Sequence, residues 1–431
     1  MSCTEPGDKA NIRVLEMSRL GAKNTPPVAF TGYQKSVVLL LAFLQFTVVL
    51  DFVILSPLGP IVMPQLGIGP QQFGFVVSAY AFSAGISGIL AAGFADLFDR
   101  KRLLLTFYSG FILGTFLCGL APTYKFLLMA RVVTGLFGGV IASISFAIVA
   151  DLFPLSSRGR VMGTIQSAFA ASQVMGLPTG LYLANHFGWN GPFRVIACVG
   201  VLVGVVIALR LKPIREHLTL GHPRHPLVHL FQTATNRRYL VGFTATMLVA
   251  TGGFMLQPFA SNFAVHNLRV PLGKLPMLYM AAGLTGIVVG PLMGRVADRI
   301  GKFRLLAIAS VAGMTMVWWW TGLDAIPFWF AIVGNCALFA TINARQVATM
   351  ALISGVPDAG DRGAYMAVSS SMQQFAGAVS SSVSGLLVVE STTGHIENYH
   401  LLGSVVVGAM ALTLAQMWNV NRMVTHKAAV G

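Results

Sequence analysis

Of the fourteen acidic side chains in this chain of 431 residues, one, Asp51, falls inside an apolar run, Val-Val-Leu-Asp-Phe-Val-Ile-Leu. The other acids lie in tails, in loops or at the ends of apolar segments. Ionisation at the centre of a membrane helix is unfavourable by roughly 2.5–3.5 kcal/mol on insertion scales, so a carboxyl kept there suits reversible protonation. Two basic residues share this costly placement, Arg131 and Arg345. Arg345 stands in Asn343-Ala344-Arg345-Gln346 with no acid near it in sequence. A cation so placed suits an anionic or hydroxyl-rich substrate; otherwise it bonds backbone carbonyls or the acids Asp358 and Asp361. Asn335, Asn343, Gln373, Gln374 and Gln173 are further candidates for substrate contact, although such groups in membrane helices often bond neighbouring helices instead.

Other chemistries find little support. Cys3, Cys118, Cys198 and Cys336 stand singly, without metal-ligand spacing. The nine histidines fall near segment ends, in loops or in the tail. No phosphate-binding G-x-x-x-x-G-K-[ST] loop is present, which argues against an ATP-driven pump. We therefore expect no metal, no cofactor and no enzyme activity.

The elements that must position these residues follow from composition. The chain is 55% hydrophobic and only 10% charged, whereas a soluble domain carries about 25% charged residues. Twelve apolar stretches are each long enough to cross a hydrocarbon core of about 30 Å. They cover residues 36–57, 73–94, 102–121, 126–150, 162–184, 194–211, 239–260, 275–296, 304–322, 327–353, 364–388 and 401–420. The expected fold is an all-α membrane protein of twelve transmembrane helices in two six-helix halves. Its parts are an N-terminal tail (1–35), a first bundle (36–212), a linker (213–238), a second bundle (239–422) and a short tail (423–431). The first 35 residues lack the short apolar core and cleavage site of a signal peptide, so they read as a cytoplasmic tail before a retained helix.

The net charge of +15 invites a nucleic-acid reading that sidedness removes. With the N-terminus inside, 23 of the 29 Lys and Arg residues lie on the inner side. Only Lys125, Arg194, Arg269 and Lys274 lie outside. That bias orients a membrane protein with both termini in the cytoplasm. The expected setting is a cell membrane, specifically a bacterial inner membrane, around a chain that works as a monomer.

The chain also repeats itself. Ala92-Gly93-Phe94-Ala95-Asp96-Leu97-Phe98-Asp99-Arg100-Lys101-Arg102 is echoed by Gly294-Arg295-Val296-Ala297-Asp298-Arg299-Ile300-Gly301-Lys302-Phe303-Arg304. A second echo joins Pro154, Arg158 and Gly159 to Pro357, Arg362 and Gly363. Two parallel six-span repeats place a transport site between the halves. Aspartates at the basic ends of helices, each followed by a basic cluster, suit a gate. Asp96 with Arg100, and Asp298 with Arg299 or Lys302, are expected to latch the halves when the cavity opens outward. Asp151 with Arg158, and Asp361 with Arg362, are candidate further members.

The second copy resembles the loop signature G-x-x-x-D-R-x-G-[RK]-x-[RK] of the major facilitator superfamily; the first departs from it at Ala92, Leu97 and Asp99. The resemblance covers nearly the whole chain. It implies that spans one, four, seven and ten line a central cavity, where Asp51 and Arg131 would meet. An anionic Asp51 would hold Arg131 and a protonated one would release it. Arg131 to Gly135 resembles the fourth-helix signature of proton-coupled members. Ser172…Gly176-Leu177-Pro178-Thr179-Gly180 resembles the glycine-proline signature of antiporters. Gly286, Gly290 and Gly294 are expected to form a close-packing face.

Together these features predict a proton-coupled secondary transporter exporting a small organic molecule, a drug, sugar or metabolite, by alternating access. Its expected partners are that substrate, protons and the lipid bilayer. The alternatives are an importer or uniporter of a small metabolite, with Arg131 and Arg345 grasping an anion, and a transporter-derived membrane sensor.

Overall fold

The structure, a computed structural model, describes residues 30–94, 98–215, 226–358, 361–391 and 394–430. Among them, ten helical segments are long and apolar enough to cross a membrane. The first half holds α1 (Gly32–Ile54), continued through a tight turn by α2 (Gly59–Leu66), then α3 (Pro70–Phe94), α4 (Arg100–Leu120) and α5 (Tyr124–Leu152). After these come α6 (Leu155–Ala171), α7 (Leu177–Phe187) and α8 (Gly191–Arg210). A short α9 (Pro226–Thr235) lies within the expected linker. The second half holds α10 (Arg237–Leu256), α11 (Leu275–Ile300), α12 (Lys302–Thr321), α13 (Phe328–Ile353), α14 (Arg362–Leu387) and α15 (Tyr399–Val430).

Two of the expected spans fall short of those ten. Residues 155–187 (α6, a π turn and α7) and α14 are helical over a membrane's width, but Ser, Thr, Gln and Gly dilute their apolar character. Between α14 and α15 a two-residue hairpin pairs Val389 with Glu397 and Glu390 with Ile396.

Local chemistry sets the helix ends. Thr31 and Gln34 form a reciprocal capping box at the start of α1, and the Gln34 amide also donates to the Leu152 carbonyl at 3.2 Å, tying α1 to the end of α5. The turn after α1 is forced by Pro57 and Pro60, whose missing N–H groups interrupt the hydrogen-bond ladder. Gly67, at φ 61°, stops α2 in the left-handed conformation that glycine tolerates. A π turn at Ser172–Gly176 precedes Pro178, an adjustment that re-satisfies backbone groups.

The bundle has a basic end, where α1 begins and α15 finishes, and a far end. The largest apolar core crosses both halves at the far end and includes Leu55, Leu58, Phe73, Phe259, Phe263 and Leu268. Toward the basic end the core splits. One cluster, with Tyr108, Ile144 and Ile148, belongs to the first half, and another, with Phe243, Leu306 and Leu352, is built on the second.

Two seams join the halves. Along the first, α3 and α14 pack together from Gly74 and Gly385 to Gly88 and Ser371. A methyl group on Gly74 would meet the Ser381 carbonyl and Gly385, one on Gly85 would meet Phe375, and one on Gly88 would meet Ser371. Along the second, α11 meets the π turn and α7, where Gly283 packs on Gln173 and Val174. Toward the basic end this second seam parts: Gly159, Gly163, Gly290 and Gly294 all face open space. The expected close-packing face on α11 is therefore not formed by Gly290 and Gly294, because the helix diverges from its neighbours there. The close-packed glycines are Gly135, Gly138 and Gly139 of α5, pressed on Tyr80, Ser83 and Ala84 of α3.

Candidate functional site

Asp51 and Arg131 meet. Arg131 Nη1 donates to Asp51 Oδ2 at 2.9 Å and to the Asp51 carbonyl oxygen at 3.3 Å. Both residues are 0% exposed. The guanidinium carbon lies 4.6 Å from the centre of the Tyr80 ring, close enough for cation–π attraction. Thr115 and Cys118 of α4 adjoin the pair, and Cys118 Sγ lies 3.7 Å from Thr134 Oγ1. The pair is only partly satisfied, because among the described residues Asp51 Oδ1, Arg131 Nε and Thr115 Oγ1 make no well-shaped hydrogen bond, though Thr115 lies close to the Asp51 carboxyl. A carboxylate with one unengaged oxygen has room to take a proton, and a buried pair broken on one side is strongly disfavoured.

Glycines bring these helices close enough. Gly135 lies against Ser83 and the Tyr80 carbonyl, and Gly114 against Thr134, so α3, α4 and α5 converge around Arg131. From the other side Gly176 and Gly180 press on Leu50 and Ile54. The glycine-proline segment thus seats the stretch of α1 that carries Asp51. Phe52, the next residue, lies 5.1 Å from Tyr80 and 5.9 Å from Phe254 of the second half. One aromatic contact therefore separates the ion pair from the other half.

The expected substrate residues do not gather at one point. Asn335 is buried and donates to the Leu278 carbonyl at 3.3 Å, joining α13 to α11. Asn343 donates to the Phe339 carbonyl of its own helix at 2.8 Å. Gln173 sits in the π turn beside Gly283. Gln373 and Gln374 are half-buried on α14, with Gln374 Oε1 unpartnered among the described residues. Arg345 is 7% exposed and turns into the second half, where Nη1 lies beside Gly252 together with Met410 and Val406 of α15. Neither of its alternative partners is used: among the described residues Arg345 bonds no carbonyl and no acid, and Nε and Nη2 are buried and unpartnered.

Among the described residues, the gating pairs seen lie within one half. Arg100 Nε bonds Asp151 Oδ2 at 3.2 Å, tying α4 to α5. Arg158 caps α5 by donating to the carbonyls of Phe153 and Ala150. The Tyr239 hydroxyl donates to Asp361 at 2.7 Å. The latch expected when the cavity opens outward is not formed with the halves parted at this end: Asp298 and Arg299 are exposed, and Lys302 donates to the Ala351 carbonyl at 3.4 Å. With the halves parted there, solvent serves the Asp298 carboxylate and the Lys302 ammonium turns to a helix end instead. Asp96 and the side chain of Arg362 lie outside the described residues.

Sequence reasoning missed Asp99. It caps α4 by accepting from Lys101 N at 2.9 Å and pairs with Arg215 at 2.8 Å, fixing the chain that leaves α8. Burial pushes this carboxyl up, but the Arg215 guanidinium and the Arg102 and Lys101 N–H groups outweigh that and hold it below the usual range. An acid in place of the signature's second glycine, directly before Arg-Lys-Arg, was the available signal. Sequence reasoning also missed a far-end cavity of about 590 Å³, lined by Trp318, Trp319, Asp324, His395, Glu397 and His400 among others.

Comparison with known proteins gives this arrangement its context. Residues 41–418 match the profile of the Major Facilitator Superfamily. An uncharacterised MFS-type transporter, YceJ of Bacillus subtilis, is 28% identical over 63% of this chain and 68% of its own length. A probable sugar efflux transporter of Mannheimia succiniciproducens is 24% identical over 67% of this chain and 71% of its own. Multidrug resistance protein 2 of Bacillus subtilis is 21% identical over 78% and 84%. Among solved structures, the xylose transporter XylE of E. coli, in a partially occluded inward-open conformation, superposes with a TM-score of 0.68 at 14% identity, covering 90% of this chain and 98% of that one. A bacterial homologue of the human lysosomal transporter Spinster, inward-facing and occupied, gives 0.64 at 15% identity, covering 93% and 98%. At such identities the superpositions establish the fold alone.

Proposed function

Because the chain belongs to the Major Facilitator Superfamily, a family of multi-pass membrane transporters and not enzymes, we propose that it exports a small organic molecule in exchange for protons. The observation that carries this reading is the sealed Asp51–Arg131 pair with an unengaged carboxylate oxygen. Adding a proton to Asp51 removes the charge that holds Arg131. The released guanidinium pulls on Tyr80, and Tyr80 touches Phe52, which touches Phe254 of the other half. A change of charge thus reaches the contact between halves through three aromatic rings, in keeping with alternating access about a site between the repeats.

In this reading the basic end is cytoplasmic, since 23 of the 29 basic residues lie on that side. Both termini face the cytoplasm of a bacterial inner membrane. The polar segments 155–187 and α14 complete twelve crossings, and the chain works as a monomer. Drugs and sugars are the leading substrate classes, supported by the names of the efflux relatives. Parted halves at the basic end support a conformation open to the cytoplasm.

The test is proton flux in proteoliposomes against a panel of drugs and sugars, comparing wild type with Asp51→Asn. Export is expected to drive protons the opposite way in wild type, and the variant should lose coupled flux at least tenfold, the scale of a lost proton-transfer group. Undiminished coupled flux in Asp51→Asn would end the proposal. Protons and substrate moving in the same direction would identify an importer.

A further inference from the structure

Arg345 presents a chemical problem that the transport reading leaves unsolved. Its guanidinium is enclosed by α10, α13 and α15, and Nε and Nη2 have no acceptor in the described protein. None of the chain's fourteen acids lies in α10, α12, α13 or α15. No helix of this cluster supplies a balancing charge, and a cation in such surroundings strongly favours an anion.

The neighbouring hydroxyls sharpen the point. Buried hydroxyls elsewhere in this half mostly donate to a carbonyl of their own helix, as Thr246, Thr321, Ser380 and Thr413 do. Ser310 and Thr349 are 1% and 2% exposed, and their hydroxyls make no hydrogen bond among the described residues. Both belong at the level of Arg345. Gly313 of α12 lies opposite Thr341 of α13, and the two helices run antiparallel. One turn toward the basic end on each brings Ser310 level with Arg345, since residues three or four apart share a helix face. Thr349 is the next member of the Arg345 face. Three buried side chains thus carry unused donors at one level of the second half, with no anionic acceptor on their helices.

We propose that Arg345, Ser310 and Thr349 bind a small monovalent anion, a halide or a carboxylate group, inside the second half. The anion neutralises the guanidinium and fastens α12 to α13. Two sources carry this chemistry: a dissolved halide, and the carboxylate of a transported molecule reaching in beside Gly252. The assignment does not depend on the direction or proton coupling of transport.

The experiment is thermal unfolding of the purified full-length protein in detergent, at constant ionic strength. The sodium salt of a bulky sulfonate that carries no carboxylate, morpholinoethanesulfonate, is replaced stepwise by chloride, bromide or acetate. The melting temperature is expected to rise and saturate with the bound anion, as ligand linkage requires. A rise with chloride and bromide identifies the halide, and a rise with acetate alone identifies the carboxylate. Arg345→Met should melt at the same temperature in every salt. Ser310→Ala and Thr349→Val should each raise the half-saturating concentration about tenfold, the loss of one hydrogen bond to a charged group. Should Arg345→Met not fold, Arg345→Lys, which keeps the charge without the planar fork, should still bind the anion at least tenfold more weakly. Melting curves of wild type that coincide in all four salts would overturn the site. So would unchanged salt dependence in whichever Arg345 variant folds.

Discussion

The two halves treat a buried guanidinium in opposite ways. In the first, Arg131 has an acid at 2.9 Å, a tyrosine ring on its face and glycines that let three helices close around it. In the second, Arg345 has hydroxyls at its level, methionine and valine beside it and no acid on any surrounding helix. The repeat that shapes both halves carries this difference plainly: offset by about two hundred residues, the counterpart of Asp51 is an apolar residue near Phe254. One half owns its counter-charge; the other must borrow one. A charge pair kept within the protein can switch by proton transfer, whereas a lone cation answers to what is dissolved around it.

Removing each guanidinium is the sharpest way to break the comparison. Arg131→Met strands the Asp51 carboxylate in an apolar interior, and a loss of about 3–5 kcal/mol is expected. Arg345→Met strands nothing and should leave stability in the bulky sulfonate salt unchanged or raised. Urea or thermal unfolding of the two variants side by side checks this, and equal losses would abolish the distinction. Next in size are the glycines that build each site. A methyl group at Gly135 collides with Ser83 and the Tyr80 carbonyl, so Gly135→Ala should cost about 1–3 kcal/mol by overpacking. Gly252→Ala meets Arg345 Nη1 at an ordinary 3.5 Å and should unfold within error of wild type.

The smallest effect concerns the ion pairs at the basic end. Asp99–Arg215 spans 2.8 Å with a buried carboxylate, while Asp358–Arg238 spans 4.0 Å with both side chains exposed. Arg215 is itself largely exposed, so solvent screening limits Asp99→Asn to a loss of about 0–1 kcal/mol near neutral pH. Because folding holds this carboxyl below its ordinary value, the pair's contribution is present above that ordinary value. It disappears as pH falls through the lowered one. The melting curves of wild type and Asp99→Asn should therefore converge in acid. Arg238→Gln, which breaks the exposed pair, should show no comparable separation at any pH.

The sequence makes plain which groups are costly, and says less about what they face. Asp51 and Arg131 were legible because a charge in an apolar run needs a partner, and helix direction put both in the same half of the bilayer. Helix periodicity alone did not show that Arg345 turns away from the gap between halves, since facing the gap and facing α15 look alike in one dimension. The Asp298 latch, expected for a cavity open outward, depends on the same missing dimension. An aspartate beside Arg299 and Lys302 pairs with them only if the opposing surface is near, and that depends on how far α11 swings. Tyr80, Thr115 and Cys118 gave no signal, because common residues gain meaning only from the guanidinium that packs on them.

The seam between α3 and α14 has one further consequence. Backbone meets backbone there at Gly74 and Gly385, which leaves no slack for sliding. A rigid turn of one half against the other must then pivot on that line as pages turn on a spine, with displacement growing toward the fore-edge. That edge is where α6 and α11 already diverge, at Gly159, Gly163, Gly290 and Gly294. A small rotation about the seam would therefore change the spacing of α6 and α11 far more than that of α3 and α14.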